Sequence, residues 1–141
     1  MDRALGLLAL SRKGGNLALG EEAVGAAARA GKARLIVVAS DASDHSLRRV
    51  KGFVAGTRQP YIVLPYTKDT LGDAVGIRSC AMAVLLDTRL ALAFVNALEQ
   101  PERHSELIAD LQKRVERIEQ RRKEEKAHER NKKFGKKPQR S

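Results

Sequence analysis

The sequence predicts an α/β sandwich, in which helices cover both faces of a small, mostly parallel or mixed sheet, followed by a basic helical tail. Over the first 100 residues, short apolar runs alternate with stretches of helical periodicity, and this alternation is typical of that fold class. From Pro101 onward, large apolar residues become sparse and charged residues dominate. We therefore predict a domain of roughly three to four strands over residues 1–100 and a tail over residues 101–141.

In the first half of the domain, glycines separate the predicted elements. Gly14-Gly15 end the first helical run, Gly20 turns the chain into the second helix and Gly31 ends that helix, as glycine commonly does. The segment from Arg34 to Ala39 reads RLIVVA, a β-branched apolar run typical of a buried strand. The predicted elements are a helix over 2–13, an edge strand over 17–19, a helix over 21–30, a strand over 34–39 and a helix over 44–55.

In the second half, capping residues mark the helix starts. Thr67 is expected to cap a short helix that ends at Gly76, and Asp87 or Thr88 to cap the last helix of the domain. Pro60 precedes a strand over 61–64, and a third main strand is predicted over 80–86. We expect the buried stripe of the last helix to consist of Leu90, Ala93, Phe94, Ala97 and Leu98.

The tail begins with a short apolar seam and continues as a charged helix. Leu107, Leu111, Val115 and Ile118 step by helical spacings that are typical of a narrow coiled-coil seam. After Glu119 the seam is lost, and we expect a solvated helix that frays into disorder near residue 130.

Positive charge is spread over the whole chain and is densest in the tail. Residues 1–100 carry 13 Lys/Arg and 9 Asp/Glu, a net of +4, and residues 101–141 carry 14 and 8, a net of +6, which together give the formal charge of +10. This balance suggests a polyanionic partner, because basic side chains that neutralise phosphates release condensed counterions. Nucleic acid is favoured over an acidic membrane, since no basic amphipathic helix carries large apolar side chains that would insert.

The sequence gives little support to an enzyme, a cofactor or a metal site. Cys80 is the single cysteine, and the three histidines lie far apart in polar surroundings without a metal-ligand spacing. No phosphate-binding loop of the Gly-Lys-Ser/Thr type occurs. Lys13 beside Gly14-Gly15 could cradle a phosphate, but two glycines after a helix more often only end it. We predict a non-enzymatic protein without cofactor or metal.

The N-terminal apolar segment does not resemble a membrane anchor. Residues 4–10 are too few to span a bilayer, and no small-residue cleavage site precedes Arg12-Lys13. We expect a cytoplasmic protein without a signal peptide.

Aromatic residues are few, which limits how nucleic acid would be recognised. The chain has three phenylalanines, two tyrosines and no tryptophan, whereas a platform for single strands usually needs several aromatics on one sheet face. Recognition would then use backbone amides, polar side chains at helix starts and basic residues. This combination suits shaped RNA better than single-stranded RNA.

Three segments carry a family resemblance. They are Gly20-Glu21-Glu22; residues 31–39, which read GKARLIVVA and are followed by Asp41; and Gln59-Pro60-Tyr61-Ile62-Val63 with Thr67-Lys68-x-x-Leu71-Gly72-x-Ala74-Val75-Gly76. Together they resemble the ribosomal L-seven-Ae family of kink-turn RNA-binding proteins, most closely its bacterial YlxQ-like branch, over about residues 4–98. The resemblance implies a three-layer α/β/α sandwich that binds kink-turn RNA and is associated with the ribosome.

The resemblance also implies which residues contact RNA. In the family, a Gly-x-Asn-Glu-x-x-Lys stretch at the start of the second helix reads tandem sheared G·A pairs, and a loop before the last strand covers flipped-out bases. Gly20 matches the glycine, whereas Glu22, Ala23 and Ala26 stand at the Asn, Glu and Lys positions. Lys32 and Arg34 keep a basic pair, Asp41 keeps an acidic residue, and residues 77–79 occupy the covering loop. The candidate RNA-binding residues are Gly20, Glu21, Glu22, Lys32, Arg34, Asp41, Ile77, Arg78 and Ser79.

Three functions remain open at this point. The first is a ribosome-associated protein that binds structured RNA, with ribosomal proteins as further partners and no membrane contact. The second is a protein-interaction adaptor whose RNA face has degenerated and whose tail seam pairs with a partner helix or with itself. The third is an enzyme on an RNA or nucleotide substrate, for which the sequence offers no residues. We expect a monomer, with a tail-mediated dimer as the alternative.

Overall fold

A computed structural model describes residues 2–133 of the chain. It contains six helices and four strands within that range. The α/β class predicted from the sequence is confirmed, and the last helix runs into the charged tail. The elements in chain order are α1 (Arg3–Lys13), β1 (Leu17–Leu19), α2 (Glu21–Arg29), β2 (Leu35–Val38), α3 (Asp44–Val54), β3 (Tyr61–Val63), α4 (Lys68–Val75), β4 (Met82–Leu85), α5 (Thr88–Ala97) and α6 (Ser105–Lys133).

The four strands form one mixed sheet in the order β1-β4-β2-β3. β4 lies between β1 and β2 and is antiparallel to both, while β2 and β3 are parallel. Leu17 and Leu35 both pair with Leu85, so the starts of β1 and β2 lie beside the end of β4. β1 is an edge strand, as predicted.

Helices cover both faces of this sheet, so the central strands β2 and β4 are buried along their whole length. Successive side chains of a strand point to opposite faces, which divides the core in two. One half contains Leu35, Val37, Ala83 and Leu85 and packs against α1, α4, α5 and α6. The other half contains Ile36, Val38, Met82 and Val84 and packs against α2 and α3.

Local capping chemistry places the helix ends where the sequence indicated. Thr67 accepts the backbone N–H of Thr70 at the start of α4, and Gly76 ends that helix in the left-handed conformation at a φ of 85°. At the start of α5 it is Asp87, and not Thr88, that accepts the N–H of Leu90, at 3.0 Å. Thr88 is buried instead.

The buried face of α5 agrees with the predicted stripe except at Ala93. Phe94 is fully buried, and Leu90, Ala97 and Leu98 are partly buried against the same core. Ala93 is exposed, and the other buried residues are Thr88, Ala91 and Val95. α5 packs against both α1 and α6. Which residues of α5 are buried therefore depends on where α1 and α6 lie, and not only on the spacing of apolar residues along α5.

The third main strand starts two residues later than predicted. The N–H of Cys80 donates to the carbonyl of Lys68 at 3.0 Å, and the ladder with β2 begins only at Met82. Cys80 thus belongs to the loop that enters the strand.

The first turns of α6 pack against the domain. Leu111 is 0% exposed within the core that contains Phe94, and Leu107 and Ile108 pack against the same core. Further along, an ion pair joins α6 to α5, since Arg89 of α5 lies 3.6 Å from Glu119, while Arg114 and Asp110, 3.1 Å apart, pair within α6 itself. Half of the apolar seam predicted for a partner is therefore used inside the chain.

Beyond Glu119, α6 is a solvated helix. Every residue from 120 to 132 is exposed. The helix continues to Lys133, past the predicted fraying point, and the predicted disordered end lies outside the described residues. No helix within residues 2–133 combines the length and the apolar character needed to cross a membrane.

Candidate nucleic-acid interface

The sheet topology brings four loop segments together at one end of the molecule. Because β4 runs antiparallel to β1 and β2, its first residue lies beside the last residues of those strands. The N–H of Gly20 donates to the carbonyl of Met82 at 3.1 Å, and the N–H of Ala39 to that of Ala81 at 2.9 Å. We call this region the carboxyl end of the sheet, comprising residues 20–22, 39–45, 65–69 and 77–81.

Gly20 connects β1 to α2 through a backbone conformation that favours glycine. Its φ of 94° and ψ of 164° lie in a region that other residues essentially do not occupy. As the N-cap residue it has no side chain to accept the first N–H groups of α2. These donors point outward at a helix start, where they suit an anionic or carbonyl acceptor.

Glu21 is already engaged in a contact between helices. Its carboxylate accepts the Nε–H of Arg49 of α3 at 2.8 Å, and the same guanidinium lies 5.2 Å from the ring centre of Phe53. The ring of Phe53 packs directly on Gly25 of α2, because a Cβ atom at that position would lie only 2.9 Å from the ring carbons. Glu21 therefore helps to fix α2 against α3, which is a structural role.

Glu22 and Ala26 are both exposed and stand four residues apart on α2. Residues at this spacing lie on the same face of a helix. Among the described residues, Glu22 forms no salt bridge. Two of the α2 positions that the resemblance assigns to RNA, Glu22 and Ala26, are thus open to solvent, whereas Ala23 is partly buried.

Asp41 closes the start of α4 from a neighbouring loop. One carboxylate oxygen, Oδ1, accepts the backbone N–H of Lys68 at 2.8 Å. A negative charge at a helix start is stabilised by the helix dipole. Asp41 thus connects the β2–α3 loop to α4. This structural role is sufficient to explain an acidic residue at position 41, whether or not its side chain contacts RNA.

The loop of residues 77–79 rests directly on a glycine of α4. A Cβ on Gly72 would lie 2.7 Å from the carbonyl oxygen of Ile77 and 2.8 Å from the backbone nitrogen of Ser79. Ile77 is partly buried against the core, whereas Arg78 and Ser79 are exposed. The close backbone contact fixes the loop and presents Arg78 to solvent.

Arg12 of α1 contacts the end of α4, just before this loop. Its guanidinium donates to the carbonyl oxygen of Val75, at the end of α4 and just before Gly76. A cation at a helix C-terminus is stabilised by the helix dipole. Sequence reasoning assigned neither Arg12 nor Gly72 to the site; the spacing of Gly72 to Gly76 was visible, but its contact with the loop was not.

We expect Gly72→Ala to disturb this loop. The added methyl group would collide with backbone atoms that cannot swing aside, so the loop must shift. We predict a loss of about 1–3 kcal/mol in the free energy of unfolding, measured by urea denaturation. Gly52→Ala is the matched control, because a Cβ on Gly52 of α3 meets nothing within 4 Å. The control should be neutral or stabilising, and equal stability of both variants would contradict the assigned role of Gly72.

Lys32 and Arg34 do not lie with the other candidate residues. They precede β2, and the N–H of Arg34 donates to the carbonyl of Leu85 at the far end of β4. From Arg34 to Ala39 the strand direction covers about 17 Å. The candidate RNA-binding residues are therefore divided between two ends of the sheet, because β2 carries the chain from one end to the other.

Ionisable groups near the carboxyl end are shifted by local contacts. The hydroxyl of Tyr66 donates to Asp2 Oδ2 at 2.7 Å. Partial burial, and then this carboxylate, raise the pKa of Tyr66, while the N–H of Leu5, and then the Tyr66 hydroxyl, lower the pKa of Asp2. Burial raises the pKa of the Cys80 thiol, which donates to the carbonyl of Met82. Cys80 is thus a buried thiol, free of any disulfide.

Within residues 2–133, no group of three or more His, Cys, Asp or Glu side chains is arranged to hold a metal ion. The polar groups of the carboxyl end instead form helix caps, an ion pair between helices and a supported loop. This arrangement presents donors and acceptors on a rigid frame.

Comparison with known proteins identifies the family. The sequence model of the ribosomal protein L7Ae/L30e/S12e/Gadd45 family matches residues 2–91, from the start of α1 into α5. The chain belongs to this family. The resemblance read from the three sequence segments is thereby confirmed, and α6 lies outside the matched region.

Solved structures share the fold of this family member. A protein of unknown function from Bacillus halodurans superposes with a TM-score of 0.65 at 23% identity, covering 71% of this chain and all (100%) of that protein. A 15.5 kD RNA-binding protein from Giardia lamblia superposes with a TM-score of 0.55 at 19% identity, covering 70% of this chain and 83% of that protein. No curated protein matches the chain.

Family membership supports RNA binding. In this family member, the carboxyl end of the sheet is nevertheless acidic. Its segments carry five carboxylates against two permanent cations, Lys68 and Arg78. The carboxylates are Glu21, Glu22, Asp41, Asp44 and Asp69, of which the first is paired with Arg49 and the third caps α4.

Proposed function

We propose that this protein binds structured RNA of the kink-turn type through the carboxyl end of the sheet. The protein acts in the cytoplasm in association with the ribosome and catalyses no reaction. One observation carries the proposal: the two segments that the family assigns to RNA, residues 20–22 and 77–79, lie at the same end of the sheet, where the N–H of Gly20 donates to the carbonyl of Met82, the first residue of the strand that follows the 77–79 loop. A bent RNA could contact both segments at once.

The two segments offer complementary chemistry. The uncapped first turn of α2 supplies backbone donors, and Ile77 supplies an apolar contact for an extruded base. Arg78 supplies a planar guanidinium that can stack on a base or bind a phosphate. Glu22 can accept hydrogen bonds from base amino groups but cannot donate to a guanine acceptor, so the acceptor-bearing side chain favours bases that present amino groups.

The exposed half of α6 adds contacts that do not depend on RNA sequence. Residues 120–132 are all exposed and include Arg121, Arg122, Lys123, Lys126 and Arg130. Such side chains bind phosphates and make affinity depend on salt. Acidic residues are interspersed among them, which limits the strength of this contribution.

The first test is a titration of the full-length protein at two salt concentrations. The RNAs are a kink-turn and a straight duplex of equal length. We expect a preference for the kink-turn, and we expect Arg78→Gln to weaken kink-turn binding about tenfold, since a charged hydrogen bond contributes on the order of 1.5–3 kcal/mol.

Arg48→Gln is the matched control for Arg78→Gln, because Arg48 is an exposed arginine on α3 with no salt bridge among the described residues. The control should leave the preference unchanged. Equal binding of both RNAs by the unaltered protein, with no effect of Arg78→Gln, would refute recognition by the carboxyl end.

A further inference from the structure

Basic side chains gather at the opposite end of the sheet from the proposed kink-turn site. The last residue of α2, Arg29, and two loops there, residues 30–34 and 55–60, together contain four Lys/Arg and no Asp/Glu. Arg114 of α6 reaches the same place, where its guanidinium lies 3.5 Å from the carbonyl oxygen of Arg58. We call these residues the amino-end cluster: Arg29, Lys32, Arg34, Arg58 and Arg114.

A single glutamine holds the two loops together. The Oε1 atom of Gln59 accepts the N–H of Ala33 at 2.9 Å, and its Nε2 donates to the carbonyl of Ala28 at 3.0 Å. These two hydrogen bonds hold the α2–β2 turn beside the loop that precedes β3. The positions of Lys32, Arg34 and Arg58 follow from this tie, so the cluster is part of a rigid frame.

Few carboxylates pair with these charges. Glu102 and Glu106 line one cavity with residues of the 55–60 loop, but neither forms a salt bridge with a member of the cluster among the described residues. Among residues 2–133, Arg114 forms a salt bridge with Asp110, but the other four members of the amino-end cluster form none. Arg29, Lys32 and Arg58 are exposed, and Arg34 is partly exposed with one nitrogen on the carbonyl of Gly31. Like charges held close together repel one another, and an anionic ligand would remove this cost.

The surroundings of the cluster favour phosphates over other anionic partners. The exposed large apolar residues of the described chain are Leu10 and Val63, and neither lies in the two loops, so nothing there would insert into a lipid layer. Pro60 and Tyr61 beside the cluster are partly buried, so no exposed aromatic platform for unpaired bases is present among the described residues there. Evenly spaced backbone phosphates fit a rigid set of guanidinium and ammonium groups.

We propose that the amino-end cluster is a second RNA-contact surface, which binds the phosphate backbone of double-helical RNA. This surface goes beyond the proposed kink-turn site, from which it is separated by the length of β2. The two ends of the sheet then contact different segments of a folded RNA. The carboxyl end reads shape, and the amino-end cluster contributes affinity without reading sequence.

The test compares two triple variants of the full-length protein. The cluster variant combines Lys32→Gln, Arg34→Gln and Arg58→Gln. The control combines Arg3→Gln, Arg48→Gln and Lys51→Gln, which are all at exposed positions. Both lose the same charge. Dissociation constants for a straight RNA duplex are measured across a series of KCl concentrations.

The slope of log Kd against log salt distinguishes the variants. Each lost phosphate contact lowers this slope by about 0.7–0.9. We therefore expect the slope to fall by about two in the cluster variant and by less than about 0.5 in the control. An unchanged slope in the cluster variant, or an equal decrease in the control, would overturn the proposal. If the triple variant does not fold, Lys32→Gln with Arg58→Gln replaces it, since both positions are exposed, and about two thirds of the change is expected.

The outcome is independent of the kink-turn proposal. The ratio of the duplex and kink-turn dissociation constants reports shape recognition, whereas the slope for the duplex reports backbone contacts. A lower slope with a ratio near one supports the second surface and rejects the kink-turn site. An unchanged slope with a ratio that falls in Arg78→Gln supports the kink-turn site and rejects the second surface.

Discussion

Replacing Leu111 with alanine is expected to lower the free energy of unfolding by about 2–5 kcal/mol. Leu111 is fully buried, although it lies eleven residues beyond the predicted end of the domain. Its side chain belongs to the core that contains Phe94 and Ala91 of α5. Truncation removes apolar contacts and leaves a cavity that the rigid sandwich cannot fully close. Urea denaturation followed by far-UV circular dichroism measures the loss.

Ile118→Ala is the control for this prediction. Ile118 belongs to the same predicted seam but is only partly buried, so its truncation should cost less than about 1 kcal/mol. Equal losses at both positions would mean that the whole seam is buried, as in a dimer formed through α6. A loss at Leu111 alone places the first turns of α6 in the core of the domain.

The Leu111 prediction also bears on the domain boundary. A chain that ends at residue 100 would lack a fully buried core residue together with Leu107 and Ile108. The boundary after residue 100 stays a prediction, but RNA-binding comparisons are better made with substitutions in the full-length chain.

Restoring the family residues on α2 should strengthen kink-turn binding. Glu22→Asn and Ala26→Lys together are expected to improve the binding free energy by about 1–3 kcal/mol for each base-edge contact regained. Both positions are exposed on one face of α2. Asparagine can donate as well as accept, and loss of the carboxylate removes repulsion from phosphates, while lysine adds attraction. The measurement is the dissociation constant for a kink-turn RNA.

The control for this double variant carries the same change of charge elsewhere. Glu116→Asn and Ala93→Lys replace exposed residues on α6 and α5. They should strengthen the binding of kink-turn and straight duplex alike, and only slightly. If the α2 variant gains no more for the kink-turn than for the duplex, the start of α2 does not read this RNA.

The acidic carboxyl end explains why these two substitutions are expected to have large effects. Glu22 adds to a region where Asp44 and Asp69 are also exposed. Glu21 and Asp41, in contrast, have partners inside the protein, Arg49 and the N–H of Lys68. Changing Glu22 removes the carboxylate on the α2 face without breaking a contact that stabilises the fold.

Local chemistry explains what the sequence could predict by itself. A helix cap depends on hydrogen bonds that span three or four residues, as between Thr67 and Thr70 or Asp87 and Leu90. The left-handed end at Gly76 and the buried run of β2 are equally local. For this reason most element positions, the α/β class and the family segments were visible in the chain alone.

Pairing between distant segments decided the rest. β4 lies between β1 and β2 and runs against both, so Gly20 meets Met82 while Arg34 meets Leu85 at the opposite end. No spacing within residues 20–34 reveals that division. The contact of Gly72 with the loop after it, the burial of Leu111 and the exposure of Ala93 likewise depend on which elements pack together. The sequence alone determined the elements and their family; only the tertiary structure decided which charges share a surface, because strand order and register are long-range properties of the chain.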